Sequence, residues 1–242
     1  MFSSSKRYNC MSQWGVVAIL MLVVPQANAQ SPNDYLKAGD LAADITVQIM
    51  TSDFSGKNFS RKVGAGTIID ESGIVATCSH VLGTHFKVRI RLGNGNQYAC
   101  EVLGRFPEHD LAVLKFEPKE KLKVAPKLHE GLLAPESPAI CLGYPRGKMD
   151  MTPAYIKVYL PDAGIDLLAK GTPVVIFDGA IEPGYSGGPL MTLQGGIIGV
   201  VFGKNRDTGV GLAIPIRILK ADLKKIEEAG GKIEEPPSKK AE

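Results

Sequence analysis

In the segment EPGYSGGPL, Glu182 to Leu190, a single serine stands among glycines just before a proline. A serine hydroxyl is a weak nucleophile until a general base takes its proton, and the base works best when a carboxylate fixes its tautomer and stabilises its charged form. Ser186 therefore needs a histidine and an acid from elsewhere in the chain. Glycines also serve tight turns, so this run alone does not separate an attacking oxygen from a small turn residue. The chain holds 4 histidines, His80, His85, His109 and His129, and all precede Ser186.

Chain order then discriminates between catalytic arrangements. Gly184-Tyr185-Ser186-Gly187-Gly188 also fits the Gly-x-Ser-x-Gly elbow of α/β-hydrolases, but that fold places its acid and histidine after the serine. No histidine follows Ser186. A subtilisin-type order needs an acid before the histidine, which Asp70 could supply, yet the alternating helices of such sheets are missing. The remaining order, histidine then aspartate then serine, is that of the chymotrypsin-type double β-barrel. GIVATCSHVLG puts His80 just past a buried apolar strand, and HDLAVLKF puts Asp110 immediately before another. His109 directly precedes Asp110 and would point to the other side of an extended segment. His85, His109 and His129 are read as surface or structural.

The elements that must position these residues are mostly strands. From about Ala43 to Phe116 the chain reads as short strands between turn signals: ADITVQIM, GAGTIID, FKVRIRL, then GNGN as a hairpin turn, then QYACEVLGRF. A second set runs through PAICLGYP, AYIKVYL, PVVIFDGAI, GGIIGVVFG and VGLAIP. Helical periodicity is evident only in PIRILKADLKKIEEAGG, where Ile216, Leu219, Leu223 and Ile226 share a face that would pack on a barrel. No internal repeat is present.

The segments GAGTIIDESGIVATCSHVL, HDLAVLKF, FDGAIEPGYSGGPL and GLAIP, spread from about Gly64 to Pro215, resemble the protease domain of the HtrA (Deg) family within the trypsin-like serine proteases. The resemblance implies an all-β fold, two six-stranded antiparallel β-barrels with a C-terminal helix. It implies that Ser186 attacks the scissile carbonyl, His80 shuttles the proton and Asp110 orients His80. The backbone N–H groups of Gly184 and Ser186 would form the oxyanion hole, each donor worth roughly 3 kcal/mol. In such folds the residue about six before the serine lies at the base of the primary specificity pocket. Here it is Ala180, and with Ile181 it suggests an apolar pocket. Val201, Phe202 and Gly203 match the strand that pairs with substrate backbone, a mode that needs an extended or unfolded polypeptide. Family resemblance also suggests a trimer.

Three departures stand against the family pattern. Tyr185 replaces a small polar residue, usually Asn, and a bulky ring there is expected to reposition the loop and weaken the oxyanion hole. No peptide-binding PDZ domain is expected, since the sequence runs only a short way past the C-terminal helix. The segment from Arg146 to Gly171 does not match the family's activation loops. Tyr185 and the expected lack of a PDZ domain motivate the alternative reading, a protease-like peptide-binding or chaperone-like protein with little or no turnover.

Composition and targeting bound the rest. The 242 residues are 44% hydrophobic and 22% charged, with a formal net charge of +3 and no clustered basic stripe, which argues for a packed globular protein and against nucleic acid as a partner. Lys6 and Arg7 precede the apolar run Trp14 to Val24, and Ala27-Asn28-Ala29 follows, the order of a secretory signal peptide over residues 1–29. The apolar run is short for a membrane span. A protease domain over 30–230 is expected, with barrels at about 40–120 and 125–215 and a polar tail over 231–242. Removal of the signal peptide, with Cys10, leaves Cys78, Cys100 and Cys141, an odd number, read mainly as small buried side chains. No metal or organic cofactor is called for.

Overall fold

The computed structural model describes residues 30–52, 59–84, 87–122 and 126–233. The expected signal segment with Cys10, His85, and tail residues 234–242 lie outside the described residues. The chain enters through helix α1 (Pro32–Ile45). Strands β1 (Thr46–Ser52), β2 (Phe59–Asp70), β3 (Ile74–Cys78), β4 (Val88–Arg91), β5 (Gln97–Phe106) and β6 (Leu111–Lys115) then close into a barrel in the order β1-β2-β3-β6-β5-β4. A one-turn helix α2 (Ser79–Leu82) sits between β3 and β4.

After a short β7 (Lys127–Leu128), strands β8 (Pro138–Gly143), β9 (Asp150–Leu160), β10 (Val174–Gly179), β11 (Pro189–Thr192), β12 (Gly196–Lys204) and β13 (Gly211–Pro215) form the second barrel. Its order is β11-β8-β9-β10-β13-β12, closed by the pairing of β11 with β12, while β7 adds a short parallel pairing to β12. All other strand pairs are antiparallel. Two six-stranded antiparallel barrels are thus the architecture, as the resemblance implies.

Alternation explains the strands that have one wet face: in β4, Val88 and Ile90 are buried while Arg89 and Arg91 are exposed. By contrast all seven residues of β1 are buried. The second barrel covers its outer face, with the Tyr144 hydroxyl donating to the Thr46 carbonyl at 3.4 Å.

Helix α1 corrects the expectation that helical periodicity is confined to the C-terminus, and it places the start of ADITVQIM in helix rather than strand. Its start is local: Ser31 caps the first turn by accepting from the Asp34 N–H at 3.3 Å, Asp34 accepts in return from the Ser31 N–H at 2.9 Å, and Pro32 occupies the first helical position. Ala38, Ala42 and Ile45 form its buried face. That narrow stripe of small residues lets α1 lie close against β8 and β11.

Helix α3 (Ile216–Glu228) buries Ile216, Leu219 and Ile226 as the periodicity predicts, with Leu223 half-buried. It packs on β12 and β13 and also reaches β5, so it straps the second barrel to the first. Beyond it, the Ile233 N–H donates to the Leu103 carbonyl at 2.8 Å and Lys232 pairs with Glu101 at 2.6 Å. No described helix is long and apolar enough to cross a membrane.

Candidate active site

The candidate base and acid both come from the first barrel, where the pairing of β3 with β6 brings Cys78 opposite Leu111. That register sets His80, two residues past the end of β3, beside Asp110, one residue before β6. His80 Nδ1 lies 2.7 Å from Asp110 Oδ2, and the His80 backbone N–H donates to Oδ1 at 3.0 Å. Both carboxylate oxygens are therefore engaged by one residue. The Ser79 N–H also donates to the Asp110 carbonyl at 3.0 Å.

Asp110 itself adopts a left-handed conformation, φ 52 and ψ 34, which aspartate tolerates better than most residues. Its side chain is 3% exposed against 41% for His80. A buried carboxylate accepts, so Nδ1 carries the proton and Nε2 is left as the acceptor on the open side of the ring.

Ser186 belongs to the second barrel, in the loop between β10 and β11. Gly184 has φ +116 and Gly187 φ +90, and a Cβ on Gly187 would lie 2.0 Å from the Ala65 carbonyl oxygen. The glycines flanking this serine are thus required by backbone shape and close approach. Tyr144 N–H holds the Gly184 carbonyl at 2.9 Å, and Gly188 N–H holds the Tyr185 carbonyl at 2.9 Å. The N–H groups of Gly184 and Ser186 have no hydrogen-bond partner among the described residues. Two unpaired donors one residue apart in a fixed loop can receive a developing oxyanion.

The two barrels are stitched at this point. Ala65 N–H donates to the Ser186 carbonyl at 2.8 Å, and Thr67 Oγ1 donates to the Gly187 carbonyl at 3.0 Å. The Val201 carbonyl accepts from both Gly187 N–H at 2.7 Å and the Cys78 thiol at 3.3 Å. Ser186 Oγ donates to the Phe202 carbonyl at 3.2 Å. Phe202 is skipped in the register between β12 and β13, and this irregularity leaves its carbonyl beside the serine.

The residues expected to meet substrate differ in what they can offer. Ala180 is exposed and Gly203 half-buried. Ile181 is 4% and Val201 0% exposed, both side chains lying in the core of the second barrel. Phe202 is 6% exposed, so its carbonyl rather than its ring faces Ser186.

Cys78, Cys100 and Cys141 are all free. Burial pushes the Cys78 and Cys141 thiols well above their usual range, in Cys78 with a further push from the Asp110 charge, and pushes Cys100 up to about 12. Cys78, His80 and Asp110 have ligand atoms within 4.8 Å of one another. Hydrogen bonds already account for that cluster: the thiol is protonated and donates to Val201, and both Asp110 oxygens serve His80.

Two acids that sequence reasoning missed support the site. Asp222 on α3 is 0% exposed, accepts at Oδ2 from His109 Nδ1 at 2.9 Å and at Oδ1 from Lys225 at 2.8 Å. His109 is thereby tied to α3, on the residue preceding Asp110. A signal was present, because Asp222 stands between Leu219 and Ile226 on the face that periodicity assigns to packing. Asp222→Ala is expected to cost about 3 kcal/mol, since it strips a buried acceptor from two cationic or polar partners that keep some water access. A urea midpoint equal to that of the parent would disprove this role.

The second missed acid is Asp150, the first residue of β9, which accepts from the Tyr185 hydroxyl at 2.9 Å. Tyr185 is 1% exposed, and burial together with this bond pushes its phenol far above the usual range. The expectation that the ring weakens the oxyanion loop meets a different arrangement: the ring is folded into the core and the loop donors stay open.

The family defined by the trypsin-like peptidase domain matches residues 64–200, more than half of the chain and a range that includes His80, Asp110 and Ser186. The chain belongs to that family. Among relatives, it is 37% identical over 179 residues to HhoA of Synechocystis sp., covering 72% of this chain and 45% of that protein. It is 33% identical over 156 residues to a DegP-like protein of Chlamydia trachomatis named for the periplasm and as a serine endoprotease, covering 63% of this chain and 31% of the relative. The chain thus spans less than half the length of these relatives. Among solved structures, the HtrA-type protease AlgW with a decapeptide superposes with a TM-score of 0.71 at 23% identity, over 81% of this chain and 68% of that one. At that identity the likeness speaks for the fold. These trypsin-like relatives are of the HtrA and DegP kind, as the motifs suggested.

Proposed function

We propose that this chain is a serine endopeptidase acting on unfolded or extended polypeptides after export, with Ser186 as nucleophile, His80 as general base and acid, and Asp110 as the residue that orients His80. The observation that carries the reading is the buried Asp110, 2.7 Å from Nδ1 of the more exposed His80, in a chain whose serine loop has two unpaired backbone donors.

In this reading a substrate strand lies along β12, donating to the Phe202 carbonyl and so taking the place of the Ser186 hydroxyl there. Freed, Oγ gives its proton to His80 Nε2 as it bonds to the scissile carbonyl carbon, and the oxyanion moves to the Gly184 and Ser186 amides. His80 returns that proton to the leaving amine as the C–N bond breaks. Water then attacks the acyl ester by the same route, with its proton passing through His80 to Oγ. Exposed Ala180 offers no carboxylate for Lys or Arg, which supports a preference for apolar side chains. Export rests on the signal-like N-terminus and on the periplasmic name of the DegP-like relative.

Labelling of the mature protein with a fluorophosphonate, followed by mass spectrometry, tests the assignment. An adduct on Ser186 is expected. No adduct in folded protein would move the reading to a peptide-binding cleft without turnover.

A further inference from the structure

The residue between the two oxyanion donors is the one that departs most from the family motif, and it is also the largest fully buried side chain of the described molecule. Its ring has a prepared place. Gly143 at the end of β8 is where the ring crosses: a Cβ there would lie 2.6 Å from Tyr185 Cα and 2.9 Å from its Cγ. Asp150, which takes the phenol at 2.9 Å, is the cross-strand partner of that same Gly143. Glycine makes the passage and the neighbouring strand supplies the acceptor, so a tyrosine fits here as a strut standing on sheet rather than on a loop.

The strut acts on the amide that matters. A trans peptide plane sets its N–H opposite its C=O. The Tyr185 carbonyl is turned inward to the Gly188 N–H at 2.9 Å, so the N–H of the same plane, that of Ser186, is turned outward. That plane turns about the line from Tyr185 Cα to Ser186 Cα, and the first of these pivots carries a side chain anchored at its far end by Asp150. Arg146, close to Gly184 through Pro145, reaches Glu182 at 3.5 Å and ties the same two segments more weakly, because both side chains are solvent-exposed.

We infer that Tyr185 and Asp150 are positioning residues whose hydrogen bond locks the nucleophile loop in its donor-outward conformation, so that the oxyanion site is assembled before any substrate or activating partner arrives. The inference rests on the endopeptidase reading for its chemical consequence, though not for its structural one. Burial keeps the phenol protonated, so the donor persists through neutral pH.

The test compares parent, Tyr185→Phe, Asp150→Ala, Asp150→Asn and the Tyr185→Phe/Asp150→Ala double variant. It reads the rate of Ser186 labelling by fluorophosphonate, kcat and KM on an unfolded polypeptide, and hydrogen exchange of the 182–188 segment. Tyr185→Phe keeps the ring and removes only the hydroxyl. It is expected to slow labelling and lower kcat by about 10- to 100-fold with KM little changed, as a misaligned donor would. Asp150→Ala should match it, the double variant should be no worse than either single one, and Asp150→Asn, which keeps an acceptor oxygen, should lose less than Asp150→Ala. Exchange in the loop should quicken in Tyr185→Phe while the core stays protected. Parental labelling rates in Tyr185→Phe overturn the strut and leave the endopeptidase reading intact. If the parent itself is not labelled, the endopeptidase reading fails, and loop exchange alone decides: unchanged protection in Tyr185→Phe overturns the strut as well.

Discussion

Ser186→Ala is expected to lower kcat for cleavage of an unfolded polypeptide by about 10⁶-fold, while the affinity for a peptide laid along β12 stays near that of the parent. The size follows from the role assigned to the hydroxyl: it is the atom that bonds to the carbonyl carbon, and neither His80 nor the loop amides can replace it. Ser186 is half-buried and its hydroxyl makes one hydrogen bond, to the Phe202 carbonyl. The alanine variant should therefore fold normally, and its far-ultraviolet dichroism and melting temperature should match the parent. Turnover at the parental rate in such a folded variant would remove Ser186 from the mechanism. Weaker peptide binding with retained turnover would show that the Oγ contact serves substrate rather than chemistry.

The second large effect is expected from Asp110→Asn, with kcat near neutral pH falling by about 10⁴-fold. Asp110 accepts from both Nδ1 and the backbone N–H of His80, at 2.7 and 3.0 Å. An asparagine can keep the backbone bond with its oxygen but then offers an N–H to Nδ1. The imidazole answers by carrying its own proton on Nε2, the nitrogen that must accept from Ser186. KM is expected to change little, because Asp110 is buried away from any substrate. A loss in KM with kcat retained would show that Asp110 shapes the cleft instead of setting the tautomer.

The residues carrying these two predictions were legible in the sequence because each is set by a short local pattern at a strand end. His80 follows β3 within one turn, Asp110 precedes β6, and Ser186 sits where glycines permit the backbone. What was not legible depended on distant partners. Tyr185 read as an intrusion because nothing in its own segment shows that Gly143 leaves space for it or that Asp150 stands ready across the strand. Asp222 stands on the packing face of its helix, but its partner, His109, lies on another element and nothing local pairs the two. Helix α1 was missed for another reason: Ala38 and Ala42 give a weak apolar stripe, and its capping box at Ser31 and Asp34 falls directly after the expected signal segment. The strand order was legible in outline because alternation and turn residues mark the strands, whereas the short parallel pairing of β7 with β12 spans too few residues to leave a pattern.

The stitching of the barrels has a consequence for the life of the chain before it is complete. His80 and Asp110 can reach their places once β3 and β6 have paired, but the serine loop takes its shape from bonds that cross between barrels, Ala65 to Ser186, Thr67 to Gly187 and Cys78 to Val201. Those bonds cannot form until the serine loop and β12 have been made and the two barrels have docked. On the proposed reading, a partly made chain would hold its base and acid without a shaped nucleophile loop, and hydrolytic capacity would arise only when the two barrels dock.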